Sequence, residues 1–308
     1  MSRLASAARS SAGFAEVVGA RERRKALDFL ALTKPRVVVM VLVTTVVGYH
    51  LGSAGAADYV RLLHTLIGTA LAAAGTLALN QFLEREVDAL MERTRLRPLP
   101  DGRLQPIEAL VFGALIAAIG VLYLALAVGL LCGLVTAATV ALYLFAYTPL
   151  KLKTPLCVVV GAIPGALPPV TGWVAARGEL GVGAWVLFAI LFLWQLPHTL
   201  AIARLYREDY ARAGIRVLPV VDPDGTSTER QIVTGCFALL AVGLLPTLIG
   251  LTGPVYFFGA LSLGVGFLGC GMAQAVSRTV PAARRLLFAS LLYLPTLLAL
   301  MAFDKVRF

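Results

Sequence analysis

Nine apolar runs, each close to 20 residues long, follow one another along the chain. They fall near residues 36–54, 62–82, 107–128, 130–147, 156–176, 182–203, 231–251, 255–276 and 285–303. A helix of about 20 apolar residues crosses the roughly 30 Å hydrocarbon core of a bilayer. Several runs contain Gly and Pro, which transmembrane helices tolerate because neighbouring helices and waters satisfy the freed backbone groups. The pattern predicts an all-α polytopic membrane protein with nine transmembrane helices.

Composition and charge agree with this prediction. Of the 308 residues, 59% are hydrophobic and 14% are charged, unlike soluble domains. With the N-terminus in the cytoplasm, 23 of the 27 Lys and Arg residues fall in the leader and the cytoplasmic loops, as the positive-inside rule requires. We expect a multi-pass protein of a prokaryotic plasma membrane, with the mitochondrial inner membrane as the alternative. The net charge of +10 reflects this bias and does not indicate a nucleic-acid partner.

The predicted domain organisation is simple. Residues 1–30 form a basic, partly disordered tail, and residues 31–308 form one transmembrane domain. A transit peptide is the alternative for the tail, but the tail continues into a segment typical of an interfacial helix that leads to the first span. The four cysteines lie singly in predicted spans, at positions 132, 157, 236 and 270. This spacing favours small buried hydrophobic residues over disulfides or metal ligands.

The segment after the second run carries carboxylates on a continuing helix. Asn80, Glu84 and Asp88 are spaced four residues apart, so a helix aligns them on one face. Like charges at this spacing repel each other, and a cation between them relieves the repulsion. Amide and carboxylate oxygens suit Mg²⁺, which commonly bridges to substrate phosphates. These side chains are therefore candidate magnesium ligands.

Three arginines follow directly in the string RTRLRP, at Arg93, Arg95 and Arg97. Guanidinium groups bind phosphate oxygens in a bidentate manner. Carboxylates for a metal beside arginines for an anion indicate a diphosphate site. The alternative interpretation is a solvated, salt-bridged helix end, for which the positive-inside bias alone supplies the arginines.

A second charged segment, LYREDYARAGIRVLPVVD, follows the sixth run. Glu208 and Asp209 are adjacent carboxylates one turn beyond the apolar helix, and Gly214 marks the expected end of that turn. Two acidic helix ends on the same side of the membrane can face each other across a central cavity. A diphosphate with one or two Mg²⁺ ions between them would neutralise both clusters, so this segment favours the diphosphate hypothesis.

Six strings together carry a resemblance to a known family. They are ALTKPRV, NQFLEREVDALMERTRLRPLP, YTPLKLKTP, GAIPGALPPVTGW, WQLPH and YREDYARAGIRVLPVV. In this order, over residues 31–221, they resemble the protoheme IX farnesyltransferases, or heme O synthases, of the UbiA superfamily of intramembrane prenyltransferases. The last three runs resemble that family only in hydropathy. The acidic string alone is typical of the whole superfamily, whereas YTPLK, GAIPGALPP and WQLPH are more specific to the heme-modifying branch.

The resemblance implies nine transmembrane helices around a central cavity, with cytoplasmic cap loops over it. It implies Mg²⁺-dependent transfer of a farnesyl group from farnesyl diphosphate to the vinyl group of heme b, with addition of water, to give heme O and diphosphate. Heme b is thus a substrate, and a downstream heme A synthase or terminal oxidase assembly is the implied partner besides the lipid bilayer. The implied catalytic residues are Asn80, Glu84, Asp88, Lys151, Glu208 and Asp209. The implied metal ligands are Asn80, Glu84, Asp88 and Asp209, and the implied diphosphate ligands are Arg93, Arg95, Arg97 and Lys151.

Some positions depart from the superfamily pattern. Glu84 stands where Asp is usual, which keeps the charge and lengthens the reach. Gln81 replaces a frequent acidic residue or Asn. Tyr206 and Tyr210 occupy places where other members carry Asp, so the ligands of a second metal stay open.

The resemblance also suggests residues for the heme. His198 in WQLPH lies inside a predicted span, where an ionisable residue is a functional candidate; a buried, hydrogen-bonded histidine is the alternative. Lys34 and Arg36 in TKPRV could bind heme propionates, diphosphate or lipid headgroups. All three are heme-binding candidates.

Two other functions stay open from the sequence. A related enzyme of the superfamily would prenylate a quinone precursor or another aromatic acceptor. A transporter would also have many spans, but its charged residues should lie near the bilayer midplane in broken helices. Here they cluster at one membrane face, so the pattern favours the enzyme.

Overall fold

The computed structural model describes residues 24–306, so residues 1–23 of the predicted tail lie outside the described residues. Within the described part, nine helices are long and apolar enough to cross a membrane. They are α1 (Pro35–Gly52), α2 (Tyr59–Ala89), α3 (Pro106–Ala127), α4 (Leu130–Leu150), α5 (Cys157–Arg177), α6 (Val182–Leu205), α7 (Thr226–Leu248), α8 (Pro254–Ser277) and α9 (Val280–Phe303). The prediction of nine helical spans is confirmed.

Several helices extend beyond the predicted runs because polar residues continue them. The largest extension is in α2, which has 31 residues and is therefore about 46 Å long at 1.5 Å per residue. A bilayer core is only about 30 Å thick, so the last turns of α2 reach beyond it. Glu84 and Asp88 lie in these turns. Likewise, α7 begins at Thr226, where Asp222 accepts a hydrogen bond from the backbone N–H of Thr228 at 2.8 Å.

Prolines interrupt the regular geometry of α5. The span consists of the helices Cys157–Ala166 and Pro168–Arg177, which meet at Leu167. Proline lacks an N–H and its ring crowds the carbonyl four residues before it, so Pro168 and Pro169 prevent a continuous hydrogen-bond ladder. The second half of α5 packs closely on α1, where a Cβ added at Gly172 would lie 2.0 Å from the Thr45 carbonyl oxygen.

A helical segment over residues 24–32 packs beside the end of α2 that carries the carboxylates. Its Phe29 ring lies 4.9 Å from that of Phe112 in α3. Arg103 donates a hydrogen bond to Asp28 at 3.0 Å, and the buried Gln81 amide donates to the Leu32 carbonyl at 2.7 Å. The segment is thus fixed to α2, and its helix covers residues 24–30 of the predicted tail, within the stretch that the sequence indicates as an interfacial helix.

The two helices α2 and α3 form the largest helix–helix contact of the bundle. Glycines make this contact possible, as small residues do between membrane helices. A Cβ added at Gly120 of α3 would lie 2.3 Å from the Ala72 backbone nitrogen, and one at Gly75 of α2 would lie 2.4 Å from that of Ala117. The backbone of α2 is therefore positioned against α3 at close range.

We expect Gly120→Ala to destabilise the protein by about 3 kcal/mol, because the new methyl group has no space and must push α2 from α3. Gly266→Ala in α8 is the matched control, because a Cβ there meets nothing within 4 Å. It should be neutral or stabilise the helix by up to about 1 kcal/mol. Thermal unfolding of both variants in detergent micelles tests this, and equal melting temperatures would contradict the assigned contact.

Candidate functional site

The site lies at the end of the bundle formed by residues 80–105, 148–156 and 206–225, which we call the charged end. Asn80 and Asp88 are each only 1% exposed, although they lie in polar turns of α2. Together with Glu84 they share one face of the helix, as the spacing predicts. Each of the three contacts a different cationic side chain.

Glu84 pairs with Lys151, which lies directly after α4. The Lys151 ammonium donates to the Glu84 carboxylate at 2.5 Å and lies 4.3 Å from the centre of the Tyr147 ring. Burial opposes the charge of Lys151, but the electrostatic effects of the Tyr147 side chain and of the Glu84 carboxylate, which also accepts its hydrogen bond, outweigh burial and raise its pKa. Lys151 is therefore a buried, fully charged cation at the charged end.

A π-helical turn in α4 explains the string YTPLK. Residues Leu142–Tyr147 form this turn, and the Thr148 N–H donates to the Tyr143 carbonyl. Pro149 has no N–H, and in a regular α-helix its ring would collide with the carbonyl four residues before it. The wider π turn relieves this collision. It brings Thr148 and Lys151 against α2, where they contact two of the three predicted ligands.

Asp88 pairs with one of the three arginines. Arg97 donates to the Asp88 carboxylate at 2.6 Å. The other two arginines are exposed: Arg95 lies 3.5 Å from Glu92, and Arg93 stacks over the Tyr206 ring at 5.2 Å. Arg97 is thus the arginine that the structure brings onto the carboxylate face.

Lys34 approaches Asn80 from the start of α1. Its backbone is left-handed, with φ 48° and ψ 65°, a conformation that costs a non-glycine residue about 1–3 kcal/mol. Its ammonium donates to Asn80 Oδ1 at 3.4 Å. Burial, together with the nearby Arg97 guanidinium, lowers the pKa of Lys34 to about 8. The protein therefore holds the Lys34 ammonium close to the positive charges of Arg97 and Lys151.

The two charged segments contact each other directly in the structure. Asp209 accepts a hydrogen bond from the Arg212 side chain, and the backbone N–H groups of Glu92 and Arg93 lie near its carboxylate. Burial of Asp209 raises its pKa, but Arg212 and these N–H groups outweigh burial and lower the pKa overall. Tyr206, where the superfamily pattern has Asp, contributes the ring beneath Arg93.

The acidic residues of the second segment lie in different surroundings. Glu208 is exposed, whereas its neighbour Asp209 is buried, and the catalytic role of Glu208 stays a prediction. Among residues 24–306, no three His, Cys, Asp or Glu side chains form a cluster that could hold a metal. In the structure the Asp209 carboxylate pairs with Arg212, and its role as a metal ligand stays a prediction.

The heme-binding candidates are separated in the structure. His198 Nδ1 lies 2.7 Å from Ser290 Oγ, and its ring stacks on Trp194 with centroids 4.6 Å apart. The contact with Ser290 joins α6 to α9, and a contact of His198 with heme stays a prediction. Arg36 is exposed in the first turn of α1, and of the three candidates Lys34 contacts the carboxylate face.

A cleft of about 460 Å³ opens elsewhere, between α6 and α7. Its walls include Leu193, Leu196 and Ala238, with Arg230 and Gln231 towards the start of α7. None of the predicted site residues lines it. At the charged end the ion pair of Glu84 with Lys151 links α2 to the residue that follows α4.

The charges of the carboxylate face suit a metal and an anion together. The face combines three cations with two carboxylates, and the five residues are Lys34, Arg97, Lys151, Glu84 and Asp88. Its net charge is therefore plus one. A divalent cation and a diphosphate, which carries about three negative charges, would bring the sum to zero. The donors also fit chemically, because oxygens suit Mg²⁺ and nitrogens suit phosphate.

Thr148 is a residue at this face that the sequence pattern alone did not indicate. Its hydroxyl accepts a hydrogen bond from Asn80 Nδ2 at 3.3 Å and donates to the Tyr143 carbonyl at 2.8 Å. The string YTPLK drew attention to Lys151 alone. The proline after Thr148 was the available signal, because it indicates irregular helix geometry at that point.

Comparison with known proteins agrees with the fold. Among solved structures, a digeranylgeranylglyceryl phosphate synthase aligns with a TM-score of 0.78 and 15% identity over 91% of this chain and 98% of that one. A UbiA homologue from Archaeoglobus fulgidus bound to GPP and Mg²⁺ aligns with a TM-score of 0.65 and 16% identity, over 89% and 99%. These structures share the fold of this chain.

Sequence relatives give the family. A protoheme IX farnesyltransferase from Solibacter usitatus (strain Ellin6076) is 51% identical over 287 residues, covering 90% of this chain and 98% of the relative. Residues 41–293 match the model of the UbiA prenyltransferase family. The chain therefore belongs to the UbiA prenyltransferase family.

Proposed function

We propose that this chain transfers the farnesyl group of farnesyl diphosphate to a vinyl group of heme b, with addition of water, and so forms heme O and diphosphate. The observation that carries the chemistry is the carboxylate face of α2, with Lys34, Arg97 and Lys151 set against it. The choice of heme as acceptor is supported by the name of the 51% identical relative.

The cations of the face have a direct role in this reaction. When the carbon–oxygen bond of an allylic diphosphate breaks, positive charge develops on the allyl group and negative charge on the leaving diphosphate. Lys34, Arg97 and Lys151 are placed to bind that diphosphate and to stabilise its developing charge. The buried position of Lys151 strengthens this effect, because charges interact more strongly away from water.

The carboxylate face would also hold Mg²⁺. Asn80, Glu84 and Asp88 are the ligands that we propose, with diphosphate oxygens completing the coordination. A bound Mg²⁺ supplies further stabilisation of the negative charge on the diphosphate. Lys151 and Arg97, which pair with the two carboxylates in the structure, are then free to bind the anion.

The surroundings protect the allyl cation until it meets the heme. The terminal carbon of the vinyl group attacks the allyl cation and forms the new carbon–carbon bond. The positive charge then moves to the carbon next to the porphyrin, where water adds as a hydroxyl group and releases a proton. Exclusion of water before this stage is essential, and Tyr143 and Tyr147, 5.2 Å apart at the end of α4, place aromatic rings beside the face.

Binding of heme and the location of the protein complete the proposal. Lys34 is the candidate for a heme propionate or diphosphate, with Arg36 beside it on the surface, and His198 is the candidate for a contact to heme within the spans. Arg93 and Arg95 would bind diphosphate from the exposed side. We place the protein in a plasma membrane, with the N-terminus and the charged end on the cytoplasmic side. A heme A synthase or terminal oxidase assembly would receive the product.

A product assay tests this function. Membranes containing the protein are incubated with heme b, farnesyl diphosphate and Mg²⁺, and extracted pigments are analysed by mass spectrometry. We expect a hydroxyethylfarnesyl heme that disappears on chelation of Mg²⁺. Parallel reactions contain a hydroxybenzoate in place of heme. If heme returned unchanged and the hydroxybenzoate were prenylated, the assignment of heme as the acceptor would be wrong, while the assignment of prenyl transfer as the reaction would hold.

A further inference from the structure

The structure assigns a positioning role to Thr148: we infer that its hydroxyl fixes the orientation of the Asn80 side-chain amide, so that Asn80 Oδ1 faces the metal. This inference rests on the proposed magnesium and diphosphate site and adds a residue to it. It starts from a buried three-part hydrogen-bond chain between α2 and α4, which runs from Asn80 through Thr148 to the Tyr143 carbonyl.

The Thr148 hydroxyl has one hydrogen atom, and the Tyr143 carbonyl takes it. The donor–acceptor distance is 2.8 Å, and the carbonyl oxygen can only accept. The Thr148 oxygen can therefore act only as an acceptor towards Asn80. Asn80 Nδ2, at 3.3 Å, supplies the matching donor.

An amide turned by 180° would be opposed on both sides. Its oxygen would face the Thr148 oxygen, which is an acceptor, and its NH₂ group would face the Lys34 ammonium, which is a donor. Asn80 is 1% exposed and Thr148 is 8% exposed, so water cannot readily relieve such contacts. The observed orientation directs the oxygen, and not the NH₂ group, to the side of the face where a cation would bind.

The π-helical turn is what makes this possible. The Tyr143 carbonyl accepts from the backbone N–H and from the hydroxyl of Thr148, and Pro149, which has no N–H to donate, follows directly. Thr148 followed by Pro149 thus provides a hydroxyl whose hydrogen is bound to the Tyr143 carbonyl, at a helix end that faces α2. Residues that orient metal ligands in this way typically change metal affinity by about 10- to 100-fold when removed.

The test measures metal binding without turnover. Purified full-length protein in detergent is saturated with the unreactive analogue farnesyl thiodiphosphate, and Mn²⁺, which prefers oxygen ligands as Mg²⁺ does, is titrated by electron paramagnetic resonance. We expect Thr148→Val to raise the Mn²⁺ Kd about tenfold. Thr148→Ala, which also lacks the hydroxyl but adds no bulk, should do the same, whereas Thr148→Ser should restore affinity to within about twofold of the unchanged protein.

Two controls separate positioning from general damage. Thr139→Val removes a half-buried hydroxyl of the same helix that donates only to the Val135 carbonyl at 2.9 Å, and it should leave the Kd unchanged. In the Asn80→Asp background, Thr148→Val should have almost no effect, because a carboxylate presents oxygen in either orientation.

The inference is overturned if Thr148→Val and Thr148→Ala bind Mn²⁺ as tightly as the unchanged protein. It is also overturned if Thr148→Ser is as weak as Thr148→Val, or if Thr148→Val weakens binding equally in the Asn80→Asp background. No heme is present in this titration. A failure of heme farnesylation in the product assay would therefore overturn the proposed acceptor, while the binding result would decide the role of Thr148.

Discussion

Asp88→Asn is expected to reduce kcat/KM for farnesyl transfer by about 10³-fold, close to the largest loss seen for a single electrostatic contact in an active site. The substitution keeps the shape of the side chain and removes its charge. Asp88 is 1% exposed and accepts from Arg97 at 2.6 Å, so water cannot replace the lost charge. Both the proposed metal and the position of Arg97 depend on it.

The matched control for this variant is Glu86→Gln. Glu86 lies in the same helix, and its side chain is 82% exposed in a surface pair with Arg85 at 3.0 Å. Exposed pairs of this kind contribute at most about 1 kcal/mol, so activity should stay within about twofold of the unchanged protein. Rates of product formation and melting temperatures of both variants test whether the charge of Asp88 is needed for activity. If Asp88→Asn were as active as the unchanged protein, the proposed role of Asp88 in the site would be wrong.

Most of the fold was predictable because bilayer physics leaves few choices. The length of each apolar run determined that it forms a helix, and all nine appear in the structure. The ends of the helices were harder to predict, because hydropathy does not register polar residues that continue a helix. The polar turns of α2 that carry Glu84 and Asp88 illustrate this, since the predicted run stopped at residue 82 and the helix continues to Ala89.

The residues that form the site were more predictable from the sequence than the groups that they contact. Helical spacing placed Asn80, Glu84 and Asp88 on one face, and that is where they lie. The sequence could not show that Glu84 faces Lys151, because that contact depends on how α4 packs on α2 and on a π-helical turn. Nor could it show that the Asp209 carboxylate lies near the backbone N–H groups that follow α2, since a carboxylate in a charged loop is equally suited to a metal.

Gln81 shows how a departure from the family pattern acquires a meaning only in the structure. At the sequence level it is a missing acidic residue next to the metal motif. In the structure it is 1% exposed and donates to the Leu32 carbonyl, so it fixes the segment that leads to Lys34. An acidic residue here would have no hydrogen to donate to that carbonyl.

Lys151→Met is expected to affect both activity and stability. Methionine has a similar length and no charge, so the leaving diphosphate loses a buried cation and kcat/KM should fall by about 10²- to 10³-fold. The partner Glu84, 15% exposed like Lys151, becomes a buried carboxylate without a counter-charge, which costs about 3 kcal/mol of stability. Lys153→Met, two residues on and exposed, is the control and should change neither quantity.

A second pair of variants separates these two effects of Lys151. In Glu84→Gln the carboxylate is neutral, so adding Lys151→Met to it should cost little further stability, because no unpaired buried charge remains. Activity should behave differently. If Lys151 itself stabilises the leaving diphosphate, the double variant is about 10²-fold less active than Glu84→Gln alone. If Lys151 serves only to neutralise Glu84, the two proteins are equally active, and the leaving-group role of Lys151 is wrong.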